Sequence, residues 1–583
     1  MIRAIRLLAG LGMVLLTACT AGPLVQSMGA GTGAADPEDA AEPAAAPGYG
    51  GNYPVRPFPT QTLSALLAAE LAGVRGDLAF ALAQYREQAL ATGDPGVIAR
   101  AAHIAQYAGD EVAVAELSRL WVAQEPENPQ ARALAATGLL REGRLFAALP
   151  HAVFLLRHGD AQAFRQLTAA AAKTPGEQRR QLLAAYQELL GEEPDNADVL
   201  FGNALLLWEE QRLVEARELA ERALRMRPDE PAGHLLYAQL LDESGASGQA
   251  LDHLENTLRE HAGDPSFSRA YVRLLFARND VALAQARLDP LVAHYPDDSA
   301  LRFGLALAYR ESGQTARARE QFEQLLEDPE LGDDAHFHVA QLLEAEGDVN
   351  GALARYRGVQ KGYRLQATAR VAGLLAGSGD LPAARRHLEE SRARHEDDAV
   401  ALYQIEAELL MHADAHREAR DLLTGALVQH PGSIELLYAR SLSHEKLGDI
   451  AAVEADLLAI LAIDADNASA LNALGYSLAN HTDRFDEAQA LIEKALALEP
   501  DDGAIIDSLG WVLYRRGEHQ RALAELQRAA AMMPDPEVAA HLGEVLWVMG
   551  EHERARSIWG EALKQFPEDR LIRETMHRLQ VDS

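Results

Sequence analysis

The carboxyl-terminal part of the chain repeats itself about every 34 residues. The first copy reads Leu474-Gly475, then Glu487-Ala488, Ala495-Leu496 and Pro500. The second reads Leu509-Gly510, Gly517, Ala522, Ala529 and Pro534, and the third Leu542-Gly543, Gly550, Ala555, Ala562-Leu563 and Pro567. Between Gly503 and Pro534, Ile506, Leu509, Gly510 and Leu513 fall at helical spacing and mark one face of a first helix. Gly517 sits where that helix must stop, at a position that tolerates left-handed backbone. Pro534 ends a second helix because its ring and missing N–H cannot continue one. Gly510 and Ala522 are the small residues that let the two helices approach. A single hairpin of this kind cannot bury its apolar face, so a chain of them must stack, each unit touching the next.

This spacing resembles the tetratricopeptide repeat (TPR). The same frame can be followed toward the amino terminus. Pro431 with Ala419 and Ala426, Gly379-Asp380 with Ala384, and Gly347-Asp348 with Ala352 and Tyr356 anchor units, as do Gly313 with Ala318 and Phe322, Gly245 with Ala250, and Pro228 with Ala216 and Ala223. Pro194, Gly143, Gly109-Asp110 and Gly76-Asp77 keep the register where the pattern decays. Ala, Leu, Glu and Arg dominate, residues that favour helix, and no β-type alternation competes. The expected fold is all-α, a TPR solenoid of roughly fifteen antiparallel helix pairs wound as a right-handed superhelix. The expected organisation is degenerate TPR-like hairpins over 61–196, a TPR array over 197–568, and a polar capping helix over 569–583.

The amino terminus reads as an address. Arg3 and Arg6 precede an apolar run from Leu7 to Leu16, too short to span a bilayer, and Leu16-Thr17-Ala18-Cys19 follows. This pattern resembles the lipobox of bacterial lipoproteins. The resemblance implies a signal peptide over 1–18, cleavage before Cys19, and acylation of that residue. Cys19 is the sole cysteine, which excludes internal disulfides. Thr20 rather than Asp follows it, which in the sorting rule of Gram-negative lipoproteins implies transport to the outer membrane. Residues 19–60, rich in Gly, Ala, Pro and Glu, hold little that can form a core and read as a disordered tether. The array would then face the periplasm.

Charge and motifs narrow the function classes. The chain has 54 Lys and Arg against 87 Asp and Glu, a net charge of −33 that repels nucleic acid and anionic lipid. Such a surface suits a soluble protein. Gly29-Ala30-Gly31-Thr32-Gly33 lies in the tether without the strand and helix a phosphate cradle needs. His412 and His416 have a spacing that can hold a metal on a helix face, but with no accompanying glutamate arrangement they read as incidental, as do His336 and His338. No metal, cofactor or catalytic set is expected, and the repeats leave no room for a separate catalytic domain.

In TPR folds positions 2, 5, 9 and 12 of a unit line the concave face. The resemblance therefore places a partner groove at these positions and their near neighbours, which include Asn472, Tyr476 and Asn480, then Asp507, Trp511, Tyr514 and Arg515, and then His541, Glu544 and Trp547. Aromatics and Arg beside Asn supply large rigid contact area and hydrogen-bonding forks. The alternative is that Trp511, Tyr514 and Trp547 pack between neighbouring helices.

The ordered signature Asn472-Ala473-Leu474-Gly475-Tyr476, Asp507-Ser508-Leu509-Gly510-Trp511-Val512 and His541-Leu542-Gly543-Glu544-Val545-Leu546-Trp547 resembles a set of proteobacterial TPR lipoproteins. Among them is the outer-membrane lipoprotein adaptor of a periplasmic carboxyl-terminal processing protease. That resemblance implies a non-catalytic scaffold whose partners are the protease and its peptidoglycan-hydrolase substrates. A scaffold or activator for peptidoglycan synthesis or outer-membrane assembly would use the same groove.

Overall fold

A computed structural model describes residues 58–581 apart from residue 262. Among the described residues the chain is helical and contains no strand. The described residues divide into two compact units, one up to residue 314 and the other from 315 on.

The described part of the first unit holds α1 (Thr60–Val74), α2 (Leu78–Thr92), α3 (Pro95–Ala108), α4 (Glu111–Gln124), α5 (Pro129–Arg141), α6 (Leu145–Arg157), α7 (Gln162–Ala172) and α8 (Gly176–Glu192). It continues with α9 (Ala197–Glu209), α10 (Leu213–Met226), α11 (Pro231–Glu243), α12 (Ser247–Glu260), α13 (Pro265–Ala277), α14 (Val281–His294) and α15 (Ser299–Glu311). Successive helices from α1 to α14 pair as antiparallel hairpins, and each hairpin packs on the next. Two buried clusters follow, one of small and aromatic residues around Ile98, Leu117 and Trp121, the other around Phe164, Leu182 and Tyr186. Polar ties cross between hairpins as well. The buried carboxylate of Asp198 accepts from Arg165 at 2.7 Å and from Arg227 at 2.8 Å, and Trp208 Nε1–H donates to Glu243 at 2.7 Å.

The second unit holds α16 (Thr315–Glu323), α17 (Gly332–Ala345), α18 (Val349–Tyr356), α19 (Arg364–Gly377), α20 (Leu381–Arg394), α21 (Ala399–His412), α22 (His416–Gln429) and α23 (Ile434–Lys446). It ends with α24 (Ile450–Ile463), α25 (Ala468–His481), α26 (Phe485–Leu498), α27 (Gly503–Arg515), α28 (His519–Met532), α29 (Pro536–Val548), α30 (His552–Gln565) and α31 (Arg570–Arg578). One continuous apolar core runs from Ala407 to Ile572 through α21–α31.

The Gly-Asp pairs of the sequence have a local cause. Gly76, Gly109, Gly347, Gly379 and Gly448 turn with positive φ after the first helix of their units. The aspartate that follows each one (Asp77, Asp110, Asp348, Asp380, Asp449) accepts the N–H three residues on and caps the second helix. Gln211, Asn279 and Asp414 occupy the same left-handed position without being glycine. The Leu-Gly pairs serve close approach. A Cβ on Gly510 would lie 2.6 Å from Leu526 Cγ, and one on Gly475 would lie 2.6 Å from Ile492 Cγ1. Hydrogen at these positions lets the two helices of a hairpin touch.

Candidate functional site

The first helices of the last three hairpins, α25, α27 and α29, lie side by side and touch one another. Contacts between them join Tyr476, Asn480, Asp507, Trp511, Tyr514, Arg515, His541 and Glu544, whereas the ring of Trp547 packs against His552 and Trp559 of α30. Asp507, Trp511, His541 and Glu544 are buried there, and Asn472, Tyr476, Asn480, Tyr514, Arg515 and Trp547 are half-buried.

These side chains are bonded mainly to one another. Trp511 Nε1–H donates to Asn480 Oδ1 at 2.5 Å, and Arg515 donates to the Asn480 carbonyl at 3.2 Å. His541 Nδ1–H donates to Asp507 Oδ2 at 2.9 Å, while its ring stacks on Trp511. Tyr476 O–H donates to Glu537 at 2.6 Å, joining α25 to α29 across the intervening hairpin. Tyr514 O–H donates to Glu544 at 3.1 Å. Arg578 from the final helix closes on the same carboxylate, one contact being 2.9 Å. The Arg515 guanidinium carbon lies 5.2 Å from the Phe485 ring centre, and that of Arg556 lies 5.2 Å from the Trp547 ring.

The electrostatics follow from this enclosure. Burial raises the Tyr476 phenol well above its ordinary pKa, with Glu537 adding to the effect. Burial and Glu544 push Tyr514 up to about 12. Burial by itself would lower the His541 imidazole, but the Asp507 carboxylate, with Glu537 and Glu544 nearby, outweighs it and raises the pKa above the ordinary histidine value. Both phenols are therefore neutral donors at neutral pH.

The face thus combines two roles. Its buried half ties three hairpins together. Its half-buried members Tyr514, Arg515 and Trp547 supply aromatic and guanidinium surface, the residue types enriched in protein contacts. Two contributors were missed by sequence reasoning. Glu537 stands at the second position of its unit, so its place in the repeat was a usable signal. Arg578 lies outside the repeat, and nothing in the spacing points to it.

The other expectations fall as follows. His338 is buried, with its ring 5.1 Å from that of Phe322. His416 lies 3.7 Å from Asp414, at the turn between α21 and α22. Among the described residues no group of three or more His, Cys, Asp or Glu side chains is placed to hold a metal, and no helix is long and apolar enough to cross a membrane. Cys19, the expected signal peptide, the glycine-rich stretch and the expected tether up to residue 57 lie outside the described residues.

Comparison with known proteins places these features in context. Tetratricopeptide-repeat patterns match residues 170–240, 243–307 and 479–544, and a second such pattern matches 305–365. A TPR repeat-containing protein of Pseudomonas aeruginosa is 39% identical over 485 residues, covering 83% of this chain and 82% of that protein. A cellulose synthase operon protein C of Pseudomonas fluorescens is 25% identical over 383 residues, covering 60% of this chain and 26% of that protein. Among solved structures, a thermophilic TPR protein of Thermus thermophilus aligns at 22% identity with a TM-score of 0.30, covering 32% of this chain and all (100%) of that one.

Proposed function

The chain belongs to the tetratricopeptide-repeat family, and from that premise we propose that it is a non-catalytic scaffold anchored at the outer membrane through Cys19 and facing the periplasm. Its partners in this reading are a carboxyl-terminal processing protease and the peptidoglycan hydrolases that the protease degrades. The observation that carries the scaffold reading is the face shared by α25, α27 and α29. It is held rigid by Trp511, His541 and Asp507 and presents Tyr514, Arg515 and Trp547. Rigid aromatic and arginine anchors lose little entropy on contact, which suits protein recognition. Support for the lipid anchor comes from the sequence alone, through the sole cysteine at Leu16-Thr17-Ala18-Cys19.

Holding protease and substrate on one array raises their effective concentration without new chemistry. Catalysis belongs to the partner. The test is reconstitution of the full chain with a periplasmic carboxyl-terminal processing protease and a peptidoglycan hydrolase. Faster loss of the hydrolase when the chain is present, reduced by Trp547→Ala with Arg515→Ala, supports the reading. An unchanged rate, or breakdown of the hydrolase by the chain without protease, sinks it. Cys19→Ser should move the protein out of the membrane fraction, since stable anchoring needs the acyl chains.

A second reading, a scaffold for envelope polymer synthesis or outer-membrane assembly, draws on the partial likeness to a cellulose synthase operon protein. Capture of a glycan polymerase in place of a protease from detergent-solubilised envelopes would favour it.

A further inference from the structure

The chain carries a net charge of −33, yet residues 351–395 hold nine Lys and Arg against three Asp and Glu. Neighbouring acids neutralise part of this local excess. Arg364 pairs with Asp398 at 2.7 Å, Arg385 with Glu406 at 2.9 Å and Glu418 at 2.7 Å, and Arg392 with Glu406 at 2.7 Å, while Arg370 closes on Glu344. Arg355, half-buried, lies by His336 of α17. Four exposed cations are left over: Arg357 just past α18, Lys361 in the loop before α19, and Arg386 and Arg394 on α20. Among the described residues no carboxylate lies within ion-pair distance of Arg357, Lys361 or Arg386, and Arg394 reaches only Glu390, at 3.8 Å.

These cations form a patch with a fixed frame. On α20, Arg386, His387, Glu390 and Arg394 fall within an arc of about 100°. His387 sits between Arg357 and Arg394. Burial lowers its basicity and the two guanidiniums lower it further, with Glu390 acting the other way. Asp333 of α17 accepts the N–H groups of Gln360 and Lys361 at 3.2 and 2.6 Å, and the rings of Phe337 and Tyr363 stack 4.4 Å apart. The loop carrying Lys361 is thereby pinned. Helix dipoles favour cations at the carboxyl ends of α18 and α20, which covers Arg357 and Arg394. They do not cover Arg386, in the first half of α20, or Lys361.

We propose that this patch docks an acidic, extended segment of a protein partner, its carboxylates forked by Arg357 and Arg394 and flanked by Arg386 and Lys361. Cations gathered without acids repel one another, and an anionic segment relieves that repulsion. A discrete segment fits better than a charged sheet or polymer. Glu389, Glu396 and Asp397, all exposed, flank the patch along the chain. A membrane of anionic headgroups or a nucleic acid would set its charge against these carboxylates and the acidic surface beyond them. The patch lies on second helices of their hairpins, whereas the face of α25, α27 and α29 is built from first helices. The two surfaces are separate, so this one can hold a second protein while the other is occupied.

The test uses the full chain with Cys19→Ser in neutral detergent, and no protease, so its outcome is independent of the protease reading. The probe is a fluorescent peptide of about ten residues, alternating Glu and Ser, long enough to span the patch when extended. Anisotropy at about 50 mM salt should show saturable binding with a dissociation constant below about 500 μM, weakening as salt rises and the charges are screened. Arg357→Glu with Arg386→Glu should weaken it about tenfold or more, with the helical circular dichroism unchanged. Arg357→Gln with Arg386→Gln, which removes the charge without reversing it, should act in the same direction. Arg417→Glu with Arg570→Glu makes the same change in net charge at exposed sites elsewhere and should leave binding within about twofold. Binding weaker than about 500 μM overturns the proposal. So does equal loss in the two Glu pairs, or equal capture of the matching Lys peptide. Flotation with phosphatidylglycerol vesicles that needs Arg357 and Arg386, in place of peptide capture, overturns it in favour of an anionic lipid surface.

Discussion

The indole of Trp511 stacks on the imidazole of His541, with ring centres 4.0 Å apart and planes 21° from parallel. The two residues belong to neighbouring hairpins, so their contact reads out the rotation between α27 and α29. The same imidazole is held from its edge by Asp507, and the same indole by Asn480. A face that looks in sequence like a row of free contact residues is therefore also the joint between three units.

Loss of that joint should loosen the end of the array before it unfolds the whole. Trp511→Ala removes a buried indole, a change that costs about 3–5 kcal/mol in well-packed sites. Solenoid units couple mainly to their neighbours, so the effect should be local. Hydrogen exchange should rise in α25, α27 and α29 and stay unchanged in α1–α6. Uniform acceleration throughout, or none anywhere, would contradict the packing described.

The His541–Asp507 pair sets a pH dependence with a definite sign. The folded imidazole has a pKa above the ordinary value, so the folded state binds the proton more tightly than the unfolded state. The stabilisation is fully present below the unfolded value of about 6.5 and is lost as pH rises through the higher folded value. The urea midpoint of the carboxyl-terminal hairpins should accordingly be higher at pH 6 than at pH 9. His541→Gln should flatten that difference, and a slope unchanged in the variant would assign it elsewhere.

Two glycine substitutions should move stability in opposite directions. Gly510→Ala places a Cβ 2.6 Å from Leu526 Cγ and 3.2 Å from the Leu526 backbone nitrogen. Overpacking of that kind costs about 1–3 kcal/mol and outweighs the gain of roughly 1 kcal/mol in helix propensity. Gly560, exposed in the middle of α30, has nothing within 4 Å of such a Cβ. Gly560→Ala should therefore stabilise by about 0.5–1 kcal/mol. Thermal melts of the two variants, run side by side, decide the matter.

Arg578 and Glu544 test the attachment of the last helix. Glu544 is buried and relies on Arg578 and Tyr514, while the arginine itself is largely exposed. Arg578→Ala leaves a buried carboxylate short of its cation, a loss of about 3 kcal/mol where pairing is complete, reduced here by the solvent at Arg578. Exchange protection of α31 should fall. Glu544→Met with Arg578→Met should restore most of it, because the desolvated charge is then gone. A double variant as weak as the single one would show that the pair is more than compensated charge.

The repeat frame was legible because each of its signals is local. Leu509-Gly510 with Ala522 describes a hairpin whose two helices must touch, and Gly510 is found against Leu526. Gly517 has the left-handed φ its place required. Turns carried by Gln211, Asn279 and Asp414 could not be found that way, because those residues adopt the left-handed conformation only where the surrounding hairpin holds them in it. At the shared face, residue type and register were enough to gather Tyr476 through Glu544. They were not enough to divide the buried members from the half-exposed ones, since that division depends on contacts 30 or more residues apart, such as Tyr514–Glu544 and Tyr476–Glu537.

By itself, then, the order of residues determined that this chain forms helical hairpins, where each one turns, and which side of each first helix meets its neighbours. Those outcomes follow from periodicity, capping and side-chain volume within a single unit. The stacking of Trp511 on His541 and the closure of Arg578 on Glu544 were decided only in the tertiary structure. Each depends on what the neighbouring unit places against a face, and the rotation between hairpins that governs this is a property of many weak contacts summed across the stack.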